Sequence, residues 1–349
     1  MKFDFCIGNP PYQGDNHQQL YPDFYLQGQK IANCVDLIFP VGWQDPKNAN
    51  NLSKLNKQEI KEDPQICFVK NKRNVFQNIV GAEFTNIILW KKGHDNGLDG
   101  NQLVIGEDNQ EIVKHLDYEK SSANKPHQIQ ELGALVVSSK NFNSLAGDTS
   151  SLKPYGLRTD FFNDPSKYGL PELQNSKRKT TDLTIYGLYK RKNTKFYVPK
   201  DYALPKISSN IDKYKVFIGK AWGNFSDNYL GGAYADIIVA SPGEICTENF
   251  IESGSFDNFE LACKHAKYLM TKFCRALLYL NKFTQDNSKD KWVSVPKQDF
   301  TENFWSESIE FIDKALMDKY DIPTKIQEFV FSNIQTRTEK NIINYREIA

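Results

Sequence analysis

Long apolar runs are missing from this sequence. The longest, such as Phe84 to Trp90, are strand-sized, far short of the roughly 20 residues a transmembrane helix needs. The opening Met-Lys-Phe-Asp-Phe-Cys-Ile is too brief an apolar stretch for a secretory signal and carries Asp4 inside it, so a cytoplasmic protein is expected. Paired cysteines are also missing. Six cysteines (Cys6, Cys34, Cys67, Cys246, Cys263 and Cys274) stand singly among apolar neighbours with no C-x-x-C spacing, which excludes the usual zinc and redox motifs and predicts buried free thiols. The five histidines are scattered, and no metal site is read from them. No repeat period or low-complexity tract is present, so solenoid and fibrous architectures fall away.

What remains is a globular chain of 349 residues, 40% apolar and 25% charged, a size that divides into about two domains. Its net charge of +1 hides an asymmetry. Between Leu152 and Trp222 fifteen Lys or Arg face six Asp or Glu, a local balance of +9 that leaves −8 for the rest. Aromatics and glycines interleave with these charges, as in Lys153-Pro154-Tyr155-Gly156-Leu157-Arg158 and Tyr186-Gly187-Leu188-Tyr189-Lys190-Arg191-Lys192. Such a region attracts a polyanion by neutralising phosphates; a solvated basic face without a ligand is the alternative.

Residues 3 to 7 read as a short buried strand, ended by Gly8 and a double proline that cannot continue a ladder. Pro22, Phe24, Leu26 and Ile31 predict a helix, and Cys34 to Phe39 a second strand broken by Pro40 and Gly42. A strand-loop-helix-strand unit implies an α/β sheet, whose chemistry sits at loops leaving the carboxyl ends of strands. The Gly8 to Gln13 loop has that position. Further strands are expected at Gln65 to Val69, Phe84 to Trp90 and Leu103 to Ile105, with the domain ending near residue 115. Polar clusters from 116 to 150 read as a linker. Beyond it, strands at Phe196 to Val198, Lys215 to Ile218 and Ile237 to Ala240 suggest a small mixed domain. Asp257-Asn258-Phe259-Glu260 then reads as a capping-box-like start to a long amphipathic helix with Phe259, Leu269, Phe273, Ala276, Leu277 and Leu280 on one stripe.

The sequence Ile7-Gly8-Asn9-Pro10-Pro11-Tyr12 carries the chemistry. Two prolines fix φ near −65° and withdraw two backbone donors, leaving a stiff loop of carbonyl acceptors. An amine attached to an aromatic ring is a poor nucleophile because its lone pair is delocalised. If the Asn9 side-chain oxygen and the Pro10 carbonyl each accept one of its N–H groups, the nitrogen is drawn toward sp³ geometry and its lone pair turns toward an electrophile. Tyr12 offers a face on which a base flipped out of a duplex stacks.

The stretch Phe-Asp-Phe-Cys-Ile-Gly-Asn-Pro-Pro-Tyr-Gln resembles the N-P-P-Y loop of adenine-N6 DNA methyltransferases, the Eco57I-like restriction-modification methylases in particular. Leu20-Tyr21-Pro22-Asp23-Phe24, Leu37 to Trp43, and Val75-Phe76-Gln77-Asn78 are similar to the blocks that follow in that family, and so are Pro154 to Thr159, Lys220 to Asn224 and Trp292 to Pro296 farther on. The resemblance implies a partial Rossmann-like methyltransferase sheet (1–115), a linker (116–150), and a mixed α+β target-recognition domain with C-terminal helices (151–349). It implies Asn9, Pro10, Pro11 and Tyr12 as the catalytic loop, Phe76 as the second ring against a flipped adenine, and double-stranded DNA as partner. Phosphate contacts are expected from Lys177, Arg178, Lys179, Lys190, Arg191, Lys192 and Lys220. Arg158 is the first choice for reading a guanine edge, with an ion pair to Asp160 as the alternative.

The departure concerns the cofactor. The family carries a glycine-rich turn for S-adenosylmethionine ahead of N-P-P-Y, and here eight residues precede Asn9. A downstream match, Phe217-Ile218-Gly219-Lys220-Ala221-Trp222-Gly223, is followed by Asn and Asp where a helix should start. The main cofactor motif is therefore expected on a companion segment or chain. A catalytically silent, split or truncated DNA-recognition subunit is the alternative; methylation of RNA or of a protein glutamine fits less well, because the enzymes that do so lack a long basic domain after the loop.

Overall fold

The computed structural model describes residues 3–14, 18–44, 60, 63–73, 84–95, 103–105, 112–113, 126–150, 153–170, 172–190, 192–221, 230, 236–282 and 286–345. The chain divides into two compact units, Met1–Pro126 and His127–Ala349. Among the described residues the fold is mixed α/β, with three sheets and six α-helices. None of those helices is long and apolar enough to cross a membrane.

The first unit opens with strand β1 (Phe3–Gly8), helix α1 (Tyr21–Ile31) and strand β2 (Ala32–Pro40). Pro22 sits in the first turn of α1, where its missing N–H costs nothing, and Tyr21, Tyr25 and Gly28 turn inward. The helix carries the chain back so that β1 and β2 pair in parallel, Phe5 beside Cys34 and Gly8 beside Leu37. Strands β3 (Ile66–Arg73), β4 (Phe84–Lys91), β5 (Leu103–Ile105) and β6 (Ile112–Val113) complete a sheet of order β1-β2-β4-β3-β5-β6, with β4 antiparallel to both β2 and β3. One face buries Val35, Leu37, Phe39, Ile88 and Trp90 with Tyr21 and Tyr25 of α1.

The expected burial of β1 does not hold. It is an edge strand, and the side chains alternating away from α1 are bare: Phe3, Phe5 and Ile7 are 54%, 66% and 72% exposed. Only Cys6, on the other face, packs against the core. The apolar run was legible, but the neighbours that would cover it are not among the described residues.

In the second unit the expected linker gives way, from His127 on, to helix α2 (His127–Ser138), whose Ile129, Leu132 and Val136 are buried. Its apolar spacing of three and four residues is the helical one, masked by polar flanks. Then come β7 (Leu183–Tyr189), β8 (Lys192–Val198), β9 (Tyr214–Gly219), β10 (Ile237–Ala240), β11 (Glu244–Cys246) and β12 (Phe250–Phe256). The single long helix expected from Phe259 is two, α3 (Phe259–Met270) and α4 (Lys272–Leu280). Thr271 leaves helical geometry with ψ 150 and its hydroxyl accepts the Cys274 N–H, so it ends one helix and caps the next. Helices α5 (Ile309–Lys319) and α6 (Thr324–Asn333) and strand β13 (Ile342–Ile343) follow. The strands form two sheets, β12-β9-β10-β13 and β11-β7-β8, over a core that includes Tyr155, Phe161, Phe162, Ile185, Phe217 and Ile245. All six cysteines are free; Cys246, Cys263 and Cys274 are buried, whereas Cys6, Cys34 and Cys67 are half-buried.

Candidate functional site

The Asn9–Tyr12 loop leaves the carboxyl end of β1, where α/β sheets carry their ligands. Pro10 is buried and pins the loop, while Asn9 and Pro11 are exposed. Farther on the chain closes on itself: the Leu20 N–H donates to the Tyr12 carbonyl at 3.1 Å and the Gly14 N–H to the Gln18 carbonyl at 2.9 Å. Among the described residues no donor reaches the Pro10 carbonyl. The ring of Tyr12 packs against the sheet's core. Its hydroxyl lies by the Asn9 side chain without closing a hydrogen bond of ordinary geometry. Burial raises its pKa, and Asn9 offsets part of that rise. Beneath the carboxyl end, Trp43 donates its indole N–H to the buried Asn86 side chain at 3.0 Å. The chemistry available here is acceptance of N–H groups by a rigid pair of oxygens. Phe76 lies outside the described residues.

S-adenosylmethionine, which the sequence resemblance implies, makes demands that can be set against this loop. A dinucleotide-like ligand is held by backbone amides at a glycine turn that opens a helix. The turn after β1 is Asn-Pro-Pro, which offers carbonyls instead of amides. Gly219 ends β9, which is flanked on both sides by antiparallel strands, β12 and β10. Neither of these two turns fits S-adenosylmethionine.

In the second unit the basic residues resolve into different kinds. Lys215 is buried, its ammonium donating to the Ile211, Lys213 and Ser241 carbonyls, and burial lowers its pKa to about 8. Lys153 pairs with Glu248 at 3.7 Å, Lys167 with Asp160 at 3.2 Å, and Lys213 with Asp257. These four of the fifteen are spoken for. Lys177, Arg178, Lys179, Lys190 and Lys192 are exposed and form no ion pair among the described residues. Arg178 and Lys179 give their backbone N–H groups to Asp182 at 2.8 and 3.0 Å. Lys190, at φ 49 in the two-residue turn between β7 and β8, lies 5.2 Å from the Tyr189 ring. Arg191 lies outside the described residues.

Arg158 is exposed on a stiff segment. Tyr155 beside it is buried and donates its hydroxyl to Glu252 at 2.7 Å. Gly156 has φ 75, and a Cβ there would meet Pro205 at 2.8 Å. The alternative partner of Arg158 is otherwise engaged: Asp160 accepts from the Tyr168 hydroxyl at 2.7 Å and from Lys167, which hold its carboxyl below the usual range.

A turn that nothing in the sequence singled out, Thr247 to Asn249, gathers these pieces. The Glu248 N–H donates to the Leu157 carbonyl at 2.7 Å and its side chain accepts the Thr159 N–H at 3.2 Å. The Asn249 side chain accepts the Leu188 N–H at 3.4 Å, and its carbonyl accepts the Lys220 N–H at 2.8 Å. Arg158, the tip of the β7–β8 hairpin and the half-buried Lys220 thus share one neighbourhood.

The geometry defines a mixed α/β protein with an acceptor loop on an edge strand in one unit and a basic hairpin surface in the other. Neither a protein-family model nor a curated protein matches the sequence. Solved structures align with it at TM-scores under 0.5. The type IIG restriction endonuclease BpuSI aligns with 90% of this chain and 45% of its own, at 11% identity and a TM-score of 0.32. The Type IIL restriction-modification enzyme MmeI in complex with DNA aligns with 94% of this chain and 56% of its own, at 12% identity and a TM-score of 0.46. The chain spans about half the length of the structures it resembles.

Proposed function

We propose that this chain is the base-capturing and DNA-reading part of an adenine-N6 DNA methyltransferase of a restriction-modification system, its first sheet being part of a Rossmann-like fold. The observation that carries the reading is the Asn9-Pro10 pair, an exposed amide and a carbonyl that no donor among the described residues reaches, at the carboxyl end of a parallel strand. Each accepts one N–H of the adenine amine, a binding that strengthens as the nitrogen becomes tetrahedral. Tyr12, braced from behind by the core, supplies one stacking surface, and Phe76 the other. The basic residues of the second unit hold the duplex by its phosphates.

The methyl donor, S-adenosylmethionine, is left to a companion segment or chain. The open edge of β1 supports this, since a further parallel strand there would extend the sheet, and a helix crossing to it would cover Phe3, Phe5 and Ile7. The test is made in the host, where any companion is present. Sequencing that reports N6-methyladenine should show a motif methylated in cells with the natural gene and unmethylated in cells with Asn9→Ala. Purified Asn9→Ala should bind duplex DNA within about threefold of the natural chain, because the lost acceptor matters mainly as the amine attacks. Identical methylation maps would sink the catalytic assignment and leave a silent DNA-binding subunit.

A further inference from the structure

Strands β7 and β8 run beyond β11, which pairs with β7 only from Thr184 to Tyr186, so the base of the hairpin is three-stranded and its tip a two-stranded ribbon. Near its base both faces are covered: Leu183, Thr184, Ile185 and Tyr186 are all buried. Toward the tip one face still rests on the core, with Phe196 edge-on to Phe162 at 4.8 Å and to Tyr189 at 5.8 Å. The opposite face is open. Register places Leu188 opposite Asn193 and Tyr186 opposite Lys195, and Leu188, Asn193 and Lys195 are exposed. From Leu183 to Val198 there are four Lys or Arg and no Asp or Glu, and among the described residues none of these cations is in an ion pair. The tip is fastened to the turn that also holds the Arg158 segment, through Asn249 and Glu248. Gly187 lets it lie close: a Cβ there would stand 2.6 Å from the Phe162 ring and 2.8 Å from the Thr247 hydroxyl.

A β-ribbon of this width enters the major groove of B-form DNA, roughly 12 Å across, where every base pair shows a distinct edge. The deep, narrow major groove of A-form RNA admits no such element. Resting on the reading that this unit binds duplex DNA, we infer that the β7–β8 ribbon is the major-groove reading element, and that Leu188, Asn193 and Lys195 on its open face contact base edges. Asn193 suits the paired donor and acceptor of adenine, Lys195 the acceptors of guanine, and Leu188 a thymine methyl. Lys190 and Lys192 at the tip meet phosphates and set the depth of insertion.

The experiment selects binding sites from a randomised duplex pool with the full chain and with Asn193→Ala/Lys195→Ala. The natural chain enriches a consensus. The double variant enriches the same consensus with one or two positions made random, and binds unrelated duplex within about twofold of the natural chain. Leu188→Ser gives an independent check, loosening a position that holds thymine. An unchanged consensus in all variants overturns the assignment while leaving DNA recognition by this unit standing. Failure of the natural chain to enrich any sequence overturns the underlying reading and this inference with it. Equal competition by an RNA duplex of the selected sequence would also overturn the groove assignment.

Discussion

Asn9 and Tyr12 share a loop but answer to different forces. Tyr12 is held by apolar packing behind its ring, and the backbone of Asn9 by the two prolines that follow it. That much was legible in the sequence, since proline acts locally and needs no tertiary partner to be understood. His265 was not. It is fully buried, its Nε2 2.9 Å from the Ser253 hydroxyl and its ring among Phe256, Tyr268 and Phe300. Burial holds its pKa down to about 3, Asp148 raising and Lys297 lowering it by less. Above the ordinary value of 6.5 the ring is neutral whether the chain is folded or not, and pH has no leverage through it. Below that value only the unfolded chain takes up the proton, so stability falls with acidification by up to about 1.4 kcal/mol per pH unit until the folded ring protonates near pH 3. Urea midpoints at pH 7 and pH 5 should differ more for the natural chain than for His265→Gln. Equal differences would show that His265 is not the group responsible.

At the scale of elements, the sequence marked the first strand-helix-strand unit and most later strands, because apolar runs bounded by Gly and Pro are local signals. It misjudged what depends on neighbours. The break at Thr271 was hidden because the apolar stripe continues across it, and only the hydroxyl cap reveals two helices. Asp160, the alternative partner for Arg158, takes Tyr168 and Lys167, eight and seven residues away in sequence but folded back by a 3₁₀ turn at Pro165–Tyr168. The seating of the β7–β8 ribbon yields a sharper expectation. Gly187→Ala puts a methyl group against Phe162 and Thr247, both packed in place, and should cost about 1–3 kcal/mol by overpacking. Thermal melts should show the loss, and Gly147→Ala, with open space around it, should not.

Across the whole molecule, the balance of +9 between Leu152 and Trp222 overstated the free cations, since Lys215 is buried and three others have acidic partners. Composition counts charge but not its partners. The free remainder still predicts duplex binding that weakens steeply with salt, with a log–log slope near −0.9 for each phosphate neutralised. Reversing Lys190, Arg191 and Lys192 to Glu should flatten that slope and weaken all sequences alike. A slope of zero for the natural chain would mean that the basic surface is merely solvated.

The bare strand at the other end of the sequence has a practical cost. An edge that shows unpaired N–H and C=O groups beside three exposed apolar side chains is a template for another chain's strand. Purified alone and concentrated, the protein should build intermolecular β-structure, with light scattering that rises with time and with protein concentration. Ile7→Lys puts a charge on the most exposed of the three positions and should delay the onset severalfold without changing the melting temperature. If scattering were unaltered by that charge, aggregation would have to begin elsewhere. The edge proposed to receive a companion strand is thus the one that would limit the shelf life of the isolated chain.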